Sequence, residues 1–560
     1  MNFMRAFLGV ALAAVLISSS LIAQTIGGQG ALHRFEGDVS EFWGKTVAGV
    51  GDLNGDGYDD IAVGCSSNGV RRAGSVQVFS GFNGNRLWRI SLRTNGDAWG
   101  LTSQSIAGLD DIDGDGVPDV VIGAPGESLI GESEGAAFVF SGATGAQIYR
   151  FNGHYDESHM GVAVAGIGDT NGDGVGDILV GAPGLDGYVD LYSGATGWRL
   201  WRQQTGNQWT MQHLGWSVAD AGDIDGDGSH DVIVGMRWAR KAGRVFVYSG
   251  ATGTTLMDFT GIYIGSEQGD HFGRSVSSVN DINGDGVSDL IIGAPFSNLS
   301  GLDESGSVYV YSGADGSLVW NWHGFASGDL FGFSVSGVGD QDGDGVADIL
   351  VGAPRTDIGD RTNAGTAYVF SGALGTLIRK VDGATARNEL GFCVAELGQV
   401  DGDGITDWGV GAPGSTQPWS TMNEGAAYVY SQAVNPYLSM DAPSISIATG
   451  VPLIANLDFP ASEASFEYLL LASMNGVGPV IRRGIKIPLT ADQLFSDTLG
   501  GAGISGVLDG NGDAVLSVVL PPQTPLAAVG RTIYFAAVSY DSSTFQGRLS
   551  SVAVAVTIAP

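Results

Sequence analysis

The sequence predicts an all-β chain: a seven-bladed β-propeller of four-stranded blades, with an N-terminal strand closing blade seven, followed by a small β-sandwich. Three observations predict it. First, an acidic, glycine-rich turn such as "DTNGDGVGD" (169–177) recurs seven times, starting at Asp52, Asp111, Asp169, Asp223, Asp281, Asp340 and Gln399, with steps of 59, 58, 54, 58, 59 and 59 residues. Second, each turn runs into short alternating strands rich in β-branched and aromatic residues, with no helical period of useful length. Third, the last unit stops one strand short, and a matching strand stands alone ahead of the first unit.

The elements follow in chain order. Residues 1–23 read as a secretory signal peptide: Arg5 is basic, Ala6 to Ile17 is an apolar run, and Ser18, Ser19, Ser20 and Ala23 offer cleavage sites. The apolar run is short for an uncleaved anchor. The chain is therefore expected to be secreted, extracellular or at the cell surface, with no membrane insertion after signal cleavage. "ALHRFEG" (31–37) matches "AQIYRFNG" (146–153), the fourth strand of unit two. Leu32 to Phe35 is therefore expected to complete blade seven, whose own run ends at "YVYSQ" (428–432). Closure removes both exposed edges and disfavours an open superhelical solenoid.

Each unit has fixed landmarks. A glycine lies twelve residues after each turn start (Gly64, Gly123, Gly181, Gly235, Gly293, Gly352, Gly411), and five of these open Gly-Ala-Pro. Another lies eight residues before the start in six units: Gly44, Gly161, Gly215, Gly273, Gly332 and Gly391, with Ser103 in unit two. Unit five shows the four strands: "RSVSSV", "SDLIIG", "SVYVYSG" and, after an "ADG" turn, "SLVWNW". Trp88, Tyr149, Trp201 and Trp320 recur at one position of the fourth strands and are expected to pack between blades. The propeller is thus placed at 31–432 and the sandwich-like region at 437–560. The latter contains strands such as "AVLSVVLP" and "TIYFAAVSYD". Its "DGNGDA" (509–514) imitates an acidic turn, but Ser517 stands at the ninth position, so a plain hairpin turn is expected.

Composition limits the function. A chain of 560 residues with 43% hydrophobic content can build a core, and 91 glycines without a three-residue period point to many tight turns. A net charge of −34 disfavours nucleic acids and anionic membranes and suits metal cations. Cys65 and Cys393 do not make a disulfide scaffold and are expected to be free, buried thiols.

The turns carry the chemistry. Positions 1, 3, 5 and 9 bear side-chain oxygens, position 6 is always glycine, and position 7 offers a carbonyl. The proposed ligands are Asp52, Asn54, Asp56, Tyr58 and Asp60; Asp111, Asp113, Asp115, Val117 and Asp119; Asp169, Asn171, Asp173, Val175 and Asp177; Asp223, Asp225, Asp227, Ser229 and Asp231; Asp281, Asn283, Asp285, Val287 and Asp289; Asp340, Asp342, Asp344, Val346 and Asp348; and Gln399, Asp401, Asp403, Ile405 and Asp407. Hard oxygen donors without His or Cys select Ca2+, up to seven ions in a structural role. Positions 1, 3, 5 and 9 of the turns hold 24 carboxylates, whose repulsion a cation relieves, and seven calcium ions would bring −34 to −20. The loop is like the first half of an EF-hand, without the Glu at position 12. Gln399 is expected to make site seven the weakest.

"FGRSVSSVNDINGDGVSDLIIGAP" (272–295) resembles an FG-GAP repeat, the blade unit of the integrin alpha-subunit propeller, and the resemblance covers 31–432. Phe-Gly is literal only at 272–273 and 331–332, and units one and four read Gly-Cys-Ser and Gly-Met-Arg. The resemblance implies calcium turns on one face and ligand-binding loops on the other. Carried over by position, the ligand face includes Tyr155, Asp156, Trp209, Arg237, Trp238, Arg240, His271, Arg355, Asp357 and Trp419. The function implied is non-catalytic adhesion or binding to an extracellular protein or glycan. No nucleophile elbow, zinc motif or phosphate loop is present, and the seven histidines share no spacing. The alternative is a calcium-dependent polysaccharide-degrading lyase or hydrolase, since some propellers of this resemblance cleave acidic polysaccharides; its basic cluster would be Arg237, Arg240 and Lys241.

Overall fold

In a computed structural model of the chain, the described residues are 31–36, 43–65, 74–91, 105–128, 133–205, 213–239, 242–262, 269–299, 301–415 and 425–431, with strand backbone between 439 and 559. The expected signal peptide, Trp209, Arg240, Lys241 and Trp419 lie outside them. Two compact units divide the chain, one of residues 26–431 and one containing 432–560.

The first unit is the predicted seven-bladed propeller. Seven four-stranded antiparallel sheets follow one another, and their first strands neighbour each other around a closed ring. Blade five runs Ser275–Val279, Asp289–Ala294, Ser307–Tyr311 and Leu318–His323. Its second strand, DLIIGA, is buried throughout, which is why it reads as a continuous apolar run and not an alternation. Its fourth strand, at the rim, is only partly buried. The N-terminal strand His33–Glu36 pairs antiparallel with Ala426–Val429, placing Phe35 opposite Ala427 and completing blade seven. Leu32 N donates to Val429 O at 2.7 Å and extends this pairing by one bond.

Apolar clusters lie between every pair of neighbouring blades, seven in all among the described residues. The position written Phe in the repeat is Trp43, Met160, Leu214, Phe272, Phe331 or Leu390, each almost wholly buried. Burial of a large apolar group is what the site demands, and a literal Phe is not. The glycine twelve residues after the turn start has a different cause. A Cβ on Gly411 would lie 1.9 Å from the Gly44 carbonyl oxygen of blade one, so backbone approaches backbone where the ring closes.

The fourth-strand aromatics join blades, as expected. Trp88, Trp201 and Trp320 donate their indole N–H to Gly142 O (3.2 Å), Gly250 O (2.6 Å) and Gly372 O (2.7 Å) of the following blade. Tyr149 donates to Ala195 O at 3.2 Å. Arg379 holds the same register in blade six and donates to Ser431 O at 2.7 Å. His33 holds it in blade seven, with Nε2 2.6 Å from Gly81 O of blade one. The ring is therefore closed by the same device that joins its members.

Both cysteines are free. Cys65 is buried, whereas Cys393 is only half-buried, its Sγ accepting from Val47 N at 3.4 Å. In the second unit, Ser439–Met440, Leu453–Asp458 and Asp513–Val518 form one sheet, and Ser444–Ser446, Glu467–Ser473, Ile504–Val507, Thr532–Asp541, Gln546–Ser550 and Val554–Ala559 another. This corrects one expectation. Strands 504–507 and 513–518 pair in different sheets, so they are not the two arms of one hairpin.

Candidate functional site

The seven turns share one hydrogen-bond scheme, and blade five shows it in full. Asp281 accepts from three loop amides, Gly284 N (2.6 Å), Asp285 N (3.1 Å) and Gly286 N (2.7 Å). Asp285 accepts from Val287 N (3.0 Å) and from the Ser312 hydroxyl (2.7 Å). Asp289, fully buried, accepts from Ile282 N (3.0 Å) and from Gly313 N (3.2 Å) of the Ser-Gly turn. Asn283 donates Nδ2–H to Asp289 Oδ1 at 3.1 Å. The Gln399 amide keeps part of the scheme in blade seven, accepting from Gly404 N at 2.9 Å. The loop recurs seven times with Gly at position 6 because that residue takes a left-handed φ of 87 to 90°, a backbone that a β-carbon resists; at Gly286 it is 89°.

Three turns bring three carboxylates to within 4.8 Å of one another: Asp111, Asp113 and Asp115; Asp223, Asp225 and Asp231; Asp340, Asp342 and Asp344. These are the three units with Asp at both position 1 and position 3; the others carry Asn at position 3 or, in unit seven, Gln at position 1. Among the described residues no Lys or Arg pairs with any of these carboxylates. Each oxygen keeps a lone pair beyond its amide bond, so a hard cation fits the donor set. Burial pushes Asp60, Asp119, Asp231 and Asp289 up to about 6, Asp348 to about 7 and Asp407 to about 8, with amide hydrogen bonds opposing and neighbouring carboxylates adding to the rise.

The opposite face starts each first strand and ends each second strand. Tyr155 is 43% exposed and meets His154 edge-on at 5.0 Å, beside exposed Asp156. Arg355 and Asp357, both exposed, line a cavity of about 670 Å3 with Phe325, Asp329, Lys380 and Glu389. Arg237, Trp238 and His271 come together between blades four and five. Trp238 is 41% exposed, while His271 is buried, its ring 5.1 Å from Trp238 and 4.5 Å from Phe296. The seven predicted ligand-face residues that are described thus fall into three groups.

Sequence reasoning missed the residues beside the central channel. A cavity of about 540 Å3 is lined by residues in or just ahead of the first strands, among them Lys45, Trp216, Arg274, Phe333 and Phe392. Each follows the glycine eight residues before the turn. That register was visible; the fact that it points into the channel needed the ring.

The FG-GAP repeat family matches residues 44–79, 103–140, 272–311 and 331–370, which are blades one, two, five and six. The chain carries four FG-GAP repeats. Its FG-GAP region is similar to integrin alpha-5 of Xenopus laevis, 32% identical over 223 residues, covering 36% of this chain and 20% of that one. It is similar to integrin alpha-PS2 of Drosophila melanogaster (33% over 226 residues; 37% and 16%) and to integrin alpha-V of Gallus gallus (34% over 217 residues; 36% and 20%). The chain spans about a fifth of the length of the curated relatives it matches. The solved structure of Saccharomyces cerevisiae Sqt1 aligns with 72% of this chain and 99% of its own at a TM-score of 0.41 and 15% identity, a likeness that decides nothing about either. Blades three, four and seven keep the FG-GAP geometry where the motif departs: Gly-Met-Arg in blade four, and Gln399 with a borrowed fourth strand in blade seven. Among the described residues no helix is long and apolar enough to cross a membrane.

Proposed function

We propose that this chain is a secreted, calcium-binding FG-GAP propeller that mediates non-catalytic adhesion or binding to an extracellular protein or glycan. One observation carries the reading: seven copies of an oxygen-lined turn, free of basic partners among the described residues, stand on one side of a ring whose other side differs from blade to blade. Positions 1, 3, 5 and 9 of each turn, with the carbonyl at 7, would hold a calcium ion. Calcium supplies charge neutralisation and a rigid crosslink within the turn, and no chemistry on a ligand. The chain's own residues do the rest: the position-9 Asp ties the turn to the Ser-Gly corner, and the second strand carries that order to the opposite face.

The leader at 1–23 supports export, and similarity to integrin alpha subunits supports a binding role. The 437–560 region is carried in this proposal as a sandwich-like accessory module. The test is retention of the purified mature chain on an array of polysaccharides and matrix proteins, with calcium and then with chelator. Calcium-dependent retention of one ligand class, recovered unaltered, is expected. Shortened polysaccharide products would replace this reading with the enzymatic one.

A further inference from the structure

We infer that the channel mouth beside blades four to six is a site for a short acidic saccharide, whose carboxylate or sulfate is held by Arg237 and Arg274 and whose sugar ring rests on the neighbouring aromatic faces. The inference deepens the extracellular-binding reading and rests on it.

The geometry is a stack. The Arg237 guanidinium lies 3.1 Å from the Trp216 ring centre, and Arg274 lies 5.5 Å from Trp216 and 4.1 Å from Phe333. Phe333 then meets Phe392 at 5.0 Å. Trp216, Arg274, Phe333 and Phe392 occupy one register on four successive blades, so the ring itself builds the stack. A guanidinium lying against aromatic faces keeps its N–H edge for hydrogen bonding. Arg237 stands where five other blades have the proline of Gly-Ala-Pro. Its Nε–H donates to His213 Nδ1 at 3.4 Å.

Neither arginine has an ion-pair partner among the described residues. Of the nearby acids, Glu396 bonds the Thr406 side chain and the Gly339 backbone, and Glu389 faces Lys45 and Arg355. Burial, with the charge of Arg274, pushes Arg237 down to about 9, and burial pushes Arg274 to about 10. Both stay charged at neutral pH, at a cost that a bound anion relieves. On a protein of charge −34 such an isolated basic pair runs against the surface as a whole. The same charge repels a long polyanion, which limits the ligand to one or two charges. The exposed face of Trp238 and the rings of Phe333 and Phe392 suit the apolar face of a sugar.

The test titrates the calcium-supplemented full chain with glucuronate, glucose 6-sulfate, glucose and N-acetylglutamate amide, read by tryptophan fluorescence and saturation-transfer NMR. Binding of glucuronate, glucose 6-sulfate or both, with glucose silent, is expected; the pair separates a carboxylate from a sulfate source. Arg237→Ser and Arg274→Gln should each weaken binding about ten- to a hundredfold, the loss of one or two charge-assisted hydrogen bonds. Serine is native at the equivalent position of blade one, Ser66, so Arg237→Ser should melt as the parent does. Arg274→Lys should restore charge without the planar fork and recover only part of the affinity. No binding of either charged sugar, or equal binding of N-acetylglutamate amide, overturns the inference. If the array partner is still retained in that case, the proposed function stands without this site; loss of both removes both.

Discussion

Removing calcium should invert the pH dependence of stability, because the position-9 carboxylates are buried. Asp60, Asp119, Asp231 and Asp289 sit at about 6 against an ordinary 3.8. Without metal, the folded chain then binds protons that the unfolded chain has released between about pH 4 and pH 6. More protons on the folded side means that stability falls as pH rises through that window. One such group amounts to about 3 kcal/mol across the whole window and about 1.4 kcal/mol per pH unit near its middle. Metal-free protein should therefore gain stability on acidification from about pH 7 to about pH 5. With calcium bound the carboxylates must stay ionised, so acidification should cost stability instead. The assay is guanidinium unfolding, followed by tryptophan fluorescence, on resin-stripped and calcium-loaded protein at about pH 7, 6 and 5. General relief of repulsion on a chain of charge −34 acts in both arms, so the difference between arms is diagnostic. Two parallel pH curves would refute the assignment of these carboxylates to metal.

Four further outcomes follow. Asp281→Ala or Asp285→Ala should lower bound calcium by one ion per chain and loosen blade five; an unchanged metal count by elemental analysis rejects the site. Trp320→Phe removes the 2.7 Å bond to Gly372 O and should cost about 1 kcal/mol in denaturant unfolding. Phe35→Ala empties a stack with Phe79 (ring centres 4.3 Å) where blade seven meets blade one; it should cost about 3–5 kcal/mol. If that ring does not depend on the N-terminal strand, the midpoint will not move. Gly411→Ala drives a Cβ to 1.9 Å from Gly44 O and should abolish soluble expression; a normal yield would mean the closure is looser than the geometry implies.

Most of the ring was legible because its signals are periodic and local. The turn pattern and the orphan strand's alternation report constraints met within one blade, and the twelve-residue step to glycine a backbone approach that recurs identically at successive junctions. Leu32 to Phe35 was readable as the missing strand because it carries the alternation of 146–153; the pairing observed is His33 to Glu36. What was not legible depends on the neighbouring blade. His33 and Arg379 share the register of Trp88 and Trp320, yet only the closed ring shows that all reach the next blade's carbonyls. The sheet exchange after Val507 was likewise hidden, since a turn sequence says little about which strand lies beside it.

The two faces differ in how freely they can change, and the reason is local. On the turn side one blade's own backbone fixes these oxygens: Asp281 answers three amides of its own loop, and Asp289 one of that loop and one of the Ser-Gly turn, so a substitution is felt within the blade. On the other side Gly215, Gly273, Gly332 and Gly391 set the register by backbone geometry alone. The next residue is then delivered to the channel whatever its side chain: Trp216, Arg274, Phe333, Phe392. Three aromatic residues and one arginine at one structural position make a surface that no single repeat encodes. Arg274 is informative only between Trp216 and Phe333, and those lie 58 and 59 residues away in sequence. Specificity on this propeller is therefore expected to change by single substitutions at that register, with the metal turns and the blade interfaces left intact.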